Sequence, residues 1–313
     1  MKSISKTTRL AALLIAGTFI AVNGFAQTFV TNGLVAYYPF NGNASDAFGT
    51  NNGTVYGATL TTNRFGIPNA AYYFNGTNNY IDILQNSALN ALASNVTLSA
   101  WIWQQNASPN GYRILDKCTS GEPLGWTFDT YNCSTQTGHR LRLQGVNFNN
   151  SCNVPGNTDY SLMRWHHVVA TISGTNGWVY LDGALDGSGI VGNIPVNTLD
   201  VYIGLAHPGQ GSGFWFNGII DDVRIYNRTL SSNEVAQLYA IESAPILNVR
   251  KAVYLDSSNL MAGTNYQIQV TSDLINWTNF GAVFTATNSY WRSTNYWDVA
   301  NWNQLFFRLK TNP

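Results

Sequence analysis

Charge is scarce in this sequence, and glutamate is scarcer still. Charged residues make up 10 % of 313 positions, with 16 acids formally balancing 16 bases. Glutamate occurs at Glu122, Glu234 and Glu242 alone. A chain without a basic cluster is a poor match for nucleic acid or an anionic membrane surface. Glycoside hydrolysis needs two carboxyl groups roughly 5–10 Å apart, commonly Glu. Here Glu234 is engaged in a helix cap and Glu242 falls in a linker. No Gly-x-Ser-x-Gly nucleophile elbow occurs. These shortages weigh against catalysis, although Asp pairs can perform the same acid–base chemistry. Cysteine is also sparse, at Cys118, Cys133 and Cys152. An odd count leaves at least one thiol outside any disulfide.

Long apolar runs are missing apart from one at the N-terminus. Lys2, Lys6 and Arg9 precede Leu10 to Val22, and Gly24-Phe25-Ala26 follows. The run is shorter than the roughly 20 residues that span a bilayer. Its basic start and small-residue end describe an export signal, residues 1–26, cleaved after Ala26. No Cys follows the run, which argues against a lipoprotein anchor. Loss of three basic residues with the leader takes the net charge to −3. The expected localisation is secreted or cell-surface, with no membrane span.

What the sequence does have is strand after strand. "LVAYYPF", "AYYFNG", "YIDIL", "VTLSAWIW", "WHHVVATI", "WVYLDG" and "VYIGLA" are rich in β-branched and aromatic residues and are separated by Gly, Asn and Asp clusters. No long helical period interrupts them, so an antiparallel sandwich or jelly roll is expected. One helix is signalled: Ser231 and Glu234 form a capping box ahead of Val235, Leu238 and Tyr239. The expected division is a jelly-roll domain over 34–241, a linker over 242–249 and a small β-sandwich over 250–313.

The cysteines also admit a geometric reading. Gly125 to Asn132 and His139 to Val146 read as hairpin arms. Cys118 and Cys152 then lie at the open end. Cys133 lies near the closed end, roughly 20 Å away by strand rise, beyond disulfide reach. The expected bridge is Cys118–Cys152, with three unpaired thiols as the alternative.

Four phrases carry a family resemblance. They are "GLVAYYPFNGNASDAFGTNNGTV", "VTLSAWIW", "RWHHVVATISGTNGWVYLDG" and "GIIDDVRIYNRTLSSNEVAQLY", in that order over residues 33–241. Together they resemble LamG-like domains. The resemblance implies an all-β fold, a two-sheet concanavalin-like jelly roll. The segment "GTNYQIQVTSDLINWTNFGAVFTAT", ending in "LFFRLK", resembles a small β-module appended to such domains in bacteria, and implies a small C-terminal β-sandwich.

The resemblance also implies a structural Ca²⁺ between the opening loop and the closing strand. Asp46, with one of Asp221 and Asp222, would supply carboxylates, and Asn41 a nearby amide oxygen, since calcium takes six to eight oxygens. The plainer alternative is an Asx turn at Asp46 and strand aspartates facing solvent. Successive strand residues face opposite ways. Asp221 therefore shares a face with Val223 and Ile225 and points inward unless a bulge intervenes, while Asp222 looks outward with Arg224. The same alternation separates His166 from His167, so a paired metal site is not expected there, and His167 reads as a packing residue.

Two aromatics stand out as sugar-stacking candidates: Trp215, beside the loop "AHPGQGSG", and Tyr112, in "ASPNGYR". The functional expectation is an exported, non-catalytic binding protein whose partner is an extracellular glycan or a surface protein. A glycan leads because the fold family often binds sugars. The alternatives are a structural or adhesive component without a small ligand and, third, an Asp-based polysaccharide hydrolase or lyase.

Overall fold

Apolar–polar alternation between Leu34 and Tyr226 resolves into two antiparallel sheets whose apolar faces meet. In the computed structural model the described residues are 28–108, 111–119, 124–131, 133, 139–146, 152–206, 214–244, 252–253, 255–293, 297–299 and 305–312. The expected leader, Glu122 and His207 lie outside them. The chain divides into two compact units, one ending at Ala244 and the other starting at Pro245.

Among the described residues the first sheet has eight strands. Its centre is Asn95–Gln104, flanked by Trp165–Ser173 and by the closing strand Asn217–Tyr226. The opening strand Leu34–Tyr38 pairs with the closing one, so the two ends of the domain meet in a single ladder. The second sheet has seven strands. They include Gly53–Tyr56, Tyr80–Ile83, Val201–Ile203, Tyr112–Lys117, Trp126–Thr130 and Leu141–Gln144. Leu98, Ala100, Ile102, Ile220 and Val223 face Ile81, Ile83, Leu115, Phe128 and Leu143 across a buried core. This is the expected two-sheet jelly roll.

The helix Ser232–Ser243 lies on the outer face of the first sheet. Its cap forms as the sequence predicts: Ser231 Oγ accepts from the Glu234 N–H, and Glu234 reaches back to the Ser231 N–H at 2.8 Å. Leu34, Val169, Tyr180, Tyr226 and Leu230 meet Val235 and Leu238 in a second apolar cluster. The helix runs to Ser243, so Glu242 belongs to its last turn and not to an irregular linker. No helix among the described residues is long and apolar enough to cross a membrane.

The C-terminal unit is also β. Asn265–Thr271 pairs with Phe306–Asn312 and with two short strands, making a four-stranded sheet beside two two-stranded ladders. Tyr266, Leu260 and Ala286 centre its small core, and the Phe284 ring stacks on Trp291 at 4.2 Å.

The disulfide differs from expectation. Cys133 joins Cys152 with a Cα–Cα distance of 6.0 Å, and Cys118 is a buried thiol inside the domain. The hairpin arms are shorter than the sequence implied. Trp126–Thr130 and Leu141–Gln144 share four residue pairs, roughly 10 Å of ladder. Cys133 lies three residues past the first strand, and Cys152 two before Val154–Pro155. Both are off the ladder and free to meet. Burial, then the Asp116 charge, push the Cys118 thiol up to about 12, leaving it a poor nucleophile at neutral pH.

Candidate functional site

Each sheet buries one face in the shared core and turns the other outward. The two outer faces carry nearly all the chemistry.

On the first sheet, the Asp221–Asp222 pair sits on a β-bulge. The ladder with Asn95–Gln104 slips between Asp221 and Arg224, and Asp222 takes φ 47°. An extra residue in a strand shifts its alternation. Ile220 and Val223 both stay inside, and Asp221 faces outward. The bulge is the exception that the alternation left open, and it takes Asp221 off the inner face that Val223 keeps.

Both carboxylates meet Arg64, from a loop that carries no recognisable motif. Arg64 Nη1 donates to Asp221 Oδ2 at 2.9 Å, and Nη2 lies 2.7 Å from Asp222 Oδ2. Nε and Nη2 also donate to the Glu242 carbonyl at the helix end, at 3.3 and 3.1 Å. The guanidinium is flanked by the Trp101 and Phe65 rings, each 4.4 Å away. Burial, then the neighbouring Asp222 charge, push the Asp221 carboxyl up, while Arg64 pulls it down. Glu242 accepts from Trp101 Nε1 at 2.6 Å and pairs with Arg224. His167 is fully buried there, 2.9 Å from Ser99 Oγ. Burial, then Arg224, hold its pKa down at about 3. It is a neutral packing residue. His166, on the opposite side of that strand, contacts Asp182 at 2.8 Å.

Asp46 organises the opening loop. Its Oδ1 accepts the N–H groups of Tyr37 and Phe48, both at 3.0 Å. Its Oδ2 accepts the Asn51 backbone and side-chain N–H groups at 3.0 and 2.9 Å. Burial alone would raise this carboxyl, but the N–H donors of Tyr37, Gly49, Phe48 and Asn51 outweigh it and hold the pKa low. Two donors on each oxygen occupy its lone pairs, so in this arrangement Asp46 does not fit a cation. Asn43 and Asn52 likewise accept local N–H groups, and Asn41 is exposed in the turn between Phe40 and Gly42. The opening loop does reach the closing strand, by way of Tyr37. Its N–H binds Asp46, and its hydroxyl donates to Asp222 Oδ1 at 2.5 Å. Among the described residues no group of three or more His, Cys, Asp or Glu is placed to hold a metal.

The outer face of the second sheet is different. Alternation puts Leu115, Phe128, Leu143, Ile81 and Ile203 inward. Across the other face run two rows. One is Thr54, Asp82, Tyr202, Asp116, Thr127 and Gln144, paired strand to strand. The other holds Tyr56 against Tyr80 at one end and Arg113, Asp129 and Arg142 at the other.

The charged end is buried and internally paired. Arg142 Nε and Nη2 grip Asp129 at 2.9 and 2.6 Å, and Arg113 Nη1 contacts the same carboxylate. Burial pulls Arg142 down to about 9 and Arg113 to about 10, so both stay protonated at neutral pH.

The aromatic end is open. Tyr56, 44 % exposed on the edge strand, stacks on Tyr80 with centroids 4.5 Å apart and planes 9° apart. Trp215 and Tyr202 each lie 6.0 Å from Tyr80. Trp215 is half-buried, with Asp82 half-buried on the same face. Trp215 stands out in the sequence by itself, and alternation in "GTVY" and "YIDI" places Tyr56, Tyr80 and Asp82 on one face with it. Tyr112 is corrected. It is 8 % exposed, starts a strand, packs on Phe216 at 6.1 Å, and donates to Asn106 Oδ1 at 2.8 Å. The strand begins at Tyr112 itself and draws its ring inward.

Two layered antiparallel sheets define a concanavalin-like jelly roll. The family model for the concanavalin A-like lectin/glucanase superfamily matches residues 75–236, and the chain belongs to that superfamily. No curated protein matches the chain. Among solved structures it is similar to domain 4 of an extracellular GH43 arabinanase from Geobacillus stearothermophilus in complex with arabinotriose. The identity there is 17 % and the TM-score 0.53, over 66 % of this chain and 98 % of that one. Botulinum neurotoxin type C, whose cell entry depends on two ganglioside molecules, matches at 18 % and 0.53 over 78 % and 58 %. Trypanosoma rangeli sialidase in complex with sialic acid matches at 20 % and 0.51 over 68 % and 33 %, so the match spans a third of that enzyme. At these identities the likeness is one of fold.

Proposed function

We propose that this is an exported carbohydrate-binding protein that holds a glycan on the open end of the second sheet. The observation that carries the reading is the aromatic surface of Tyr56 stacked on Tyr80 beside Trp215. Sugar rings present C–H faces that pack on aromatic rings, while neighbouring polar groups read the hydroxyls. Thr54 and Asp82 lie on the same face. The arabinotriose, sialic acid and ganglioside named with the similar structures agree with a sugar ligand.

Binding without hydrolysis is part of the proposal. Glu234 caps a helix and Glu242 is paired with Arg224. Asp129 is clamped between two arginines, which suits an ion-paired carboxylate better than a proton donor. A glycan array and calorimetry on the full chain test the reading. Tyr56→Ala and Trp215→Ala should each weaken binding about tenfold, in line with roughly 1.5 kcal/mol for a ring contact, with the melting temperature little changed. Unchanged affinity in both variants removes the platform. An array without hits turns the assignment to the structural or adhesive alternative, and release of new reducing ends turns it to an enzyme.

A further inference from the structure

Lys117 ends the strand Tyr112–Lys117 fully buried, and its Nζ meets amide oxygens in place of a carboxylate. We infer that Lys117 and Asn197 join through an isopeptide bond, a covalent staple between that strand and the segment leading into Val201–Ile203. The inference concerns the scaffold and stands apart from the carbohydrate reading.

The two side chains come from positions 80 apart in sequence, and they are held in contact. Nζ donates to Asn197 Oδ1 at 2.5 Å, to the Leu199 carbonyl at 2.6 Å and to the Asn197 carbonyl at 3.3 Å. A C=O bond of about 1.2 Å puts Asn197 Cγ no more than about 3.7 Å from Nζ, close to the roughly 3–3.5 Å of a near-attack geometry. The amide itself is fixed at both ends. Its Oδ1 also accepts the Leu199 N–H at 3.1 Å, and its Nδ2 donates to the Leu124 carbonyl. Two donors on Oδ1 draw electron density from Cγ. A Cβ at Gly125 would collide with the Lys117 carbonyl and lie 3.2 Å from Asn197 Nδ2, so the packing around the pair admits only glycine there.

The surroundings suit the amine to attack. Lys117 lies across from Trp126, whose side chain is fully buried. Burial pulls the Lys117 ammonium down to about 8, against the Asp200 charge that raises it. A desolvated lysine amine is a nucleophile near neutral pH. The unprotonated Nζ attacks Cγ, the Cγ–Nδ2 bond breaks, and Nδ2 leaves as ammonia. The Asp200 carboxylate, whose charge reaches Lys117, can take the Nζ proton and pass it to the leaving nitrogen. Overall a lysine ammonium and an asparagine amide become a secondary amide and a free ammonium ion, with no oxidant or other reactant consumed. The exchange also replaces a buried ammonium, which is costly out of water, by a neutral amide.

Peptide mapping of the full chain tests this, with the disulfide reduced and the protein first held for a day at about pH 8, where the amine is half unprotonated. The peptides holding Lys117 and Asn197 should be recovered joined, about 17 Da lighter than their sum, the mass of the ammonia lost. Mapping is needed beyond the intact mass, because Gln27 at the expected mature N-terminus can lose ammonia too. An amine reagent applied under denaturing conditions should leave Lys117 unlabelled. Lys117→Arg keeps a cation there but cannot form the amide. It should yield no joined peptide and melt about 10 °C lower, as loss of a long-range cross-link implies. The mapping uses the unaltered protein, so it stands even where the variant folds poorly. Separate peptides with Lys117 labelled overturn the inference and leave an ammonium held by three oxygens.

Discussion

The two outer faces of the jelly roll carry similar residues and use them in opposite ways. On the first sheet, Arg64, Asp221, Asp222, Arg224 and Glu242 lie against a helix, and each charge meets a counter-charge. On the second, Arg113, Asp129 and Arg142 form an equally buried ladder, but it ends at rings that stay open. A buried charge without a partner is strongly unfavourable. Closure by a helix therefore demands complete pairing, whereas an open edge leaves the rings of Tyr56 and Trp215 partly exposed. Aspartates side by side in sequence first suggest catalysis. In the fold the pair belongs to the closed face, and the proposed glycan platform belongs to the other.

Three measurements sharpen this contrast. The largest effect is expected from Arg64→Ala, which leaves Asp221 and Asp222 facing each other without their cation. Breaking one side of a buried pair is worth about 3–5 kcal/mol, read as a lower denaturation midpoint. Glycan binding at the opposite face should survive wherever the variant is folded. A loss below about 1 kcal/mol would mean that the Arg64 pairing is not a stabilising element. Next comes Cys152→Ser. Opening a loop with a sequence separation of 19 should remove about 3 kcal/mol on the loop-entropy model. Peptide mapping should recover Cys133 linked to Cys152, with a single titratable thiol, Cys118, under denaturing conditions. A Cys118–Cys152 peptide would contradict the bridge.

The smallest effect concerns Asp46, and its sign follows from the lowered pKa. A carboxyl held below its unfolded value of 3.8 contributes stability that is complete above that pH. The contribution is lost as pH falls toward the folded pKa. Asp46→Asn should therefore cost about 1–3 kcal/mol at pH 7 and flatten the loss of stability below about pH 4. Calcium and chelator should give the same melting temperature in both proteins. A calcium-dependent rise that Asp46→Asn abolishes would restore the ion between the opening loop and the closing strand.

Much of the fold was legible because its signals are local. Period-two alternation marks strands, and Ser231 with Glu234 marks a helix start, since both depend on residues a few positions apart. Trp215 was legible as an aromatic beside a loop. Its partners Tyr56 and Tyr80 were written in the same alternation, but their stacking depends on cross-strand register. The bulge at Asp222 was not legible, because one extra residue in a strand leaves no mark in composition. Nor was Arg64, which is 157 residues from Asp221. The cysteine pairing failed because the strands stop sooner than their apolar pattern.

The sequence by itself determined an all-β chain with a capped closing helix and an Asp46-centred opening loop, because each follows from short-range patterns. The tertiary structure alone decided which aspartates are sealed, which cysteines pair and which aromatics remain open. Those outcomes depend on register and on side chains brought together across the sheets, where desolvation makes each buried charge take a partner.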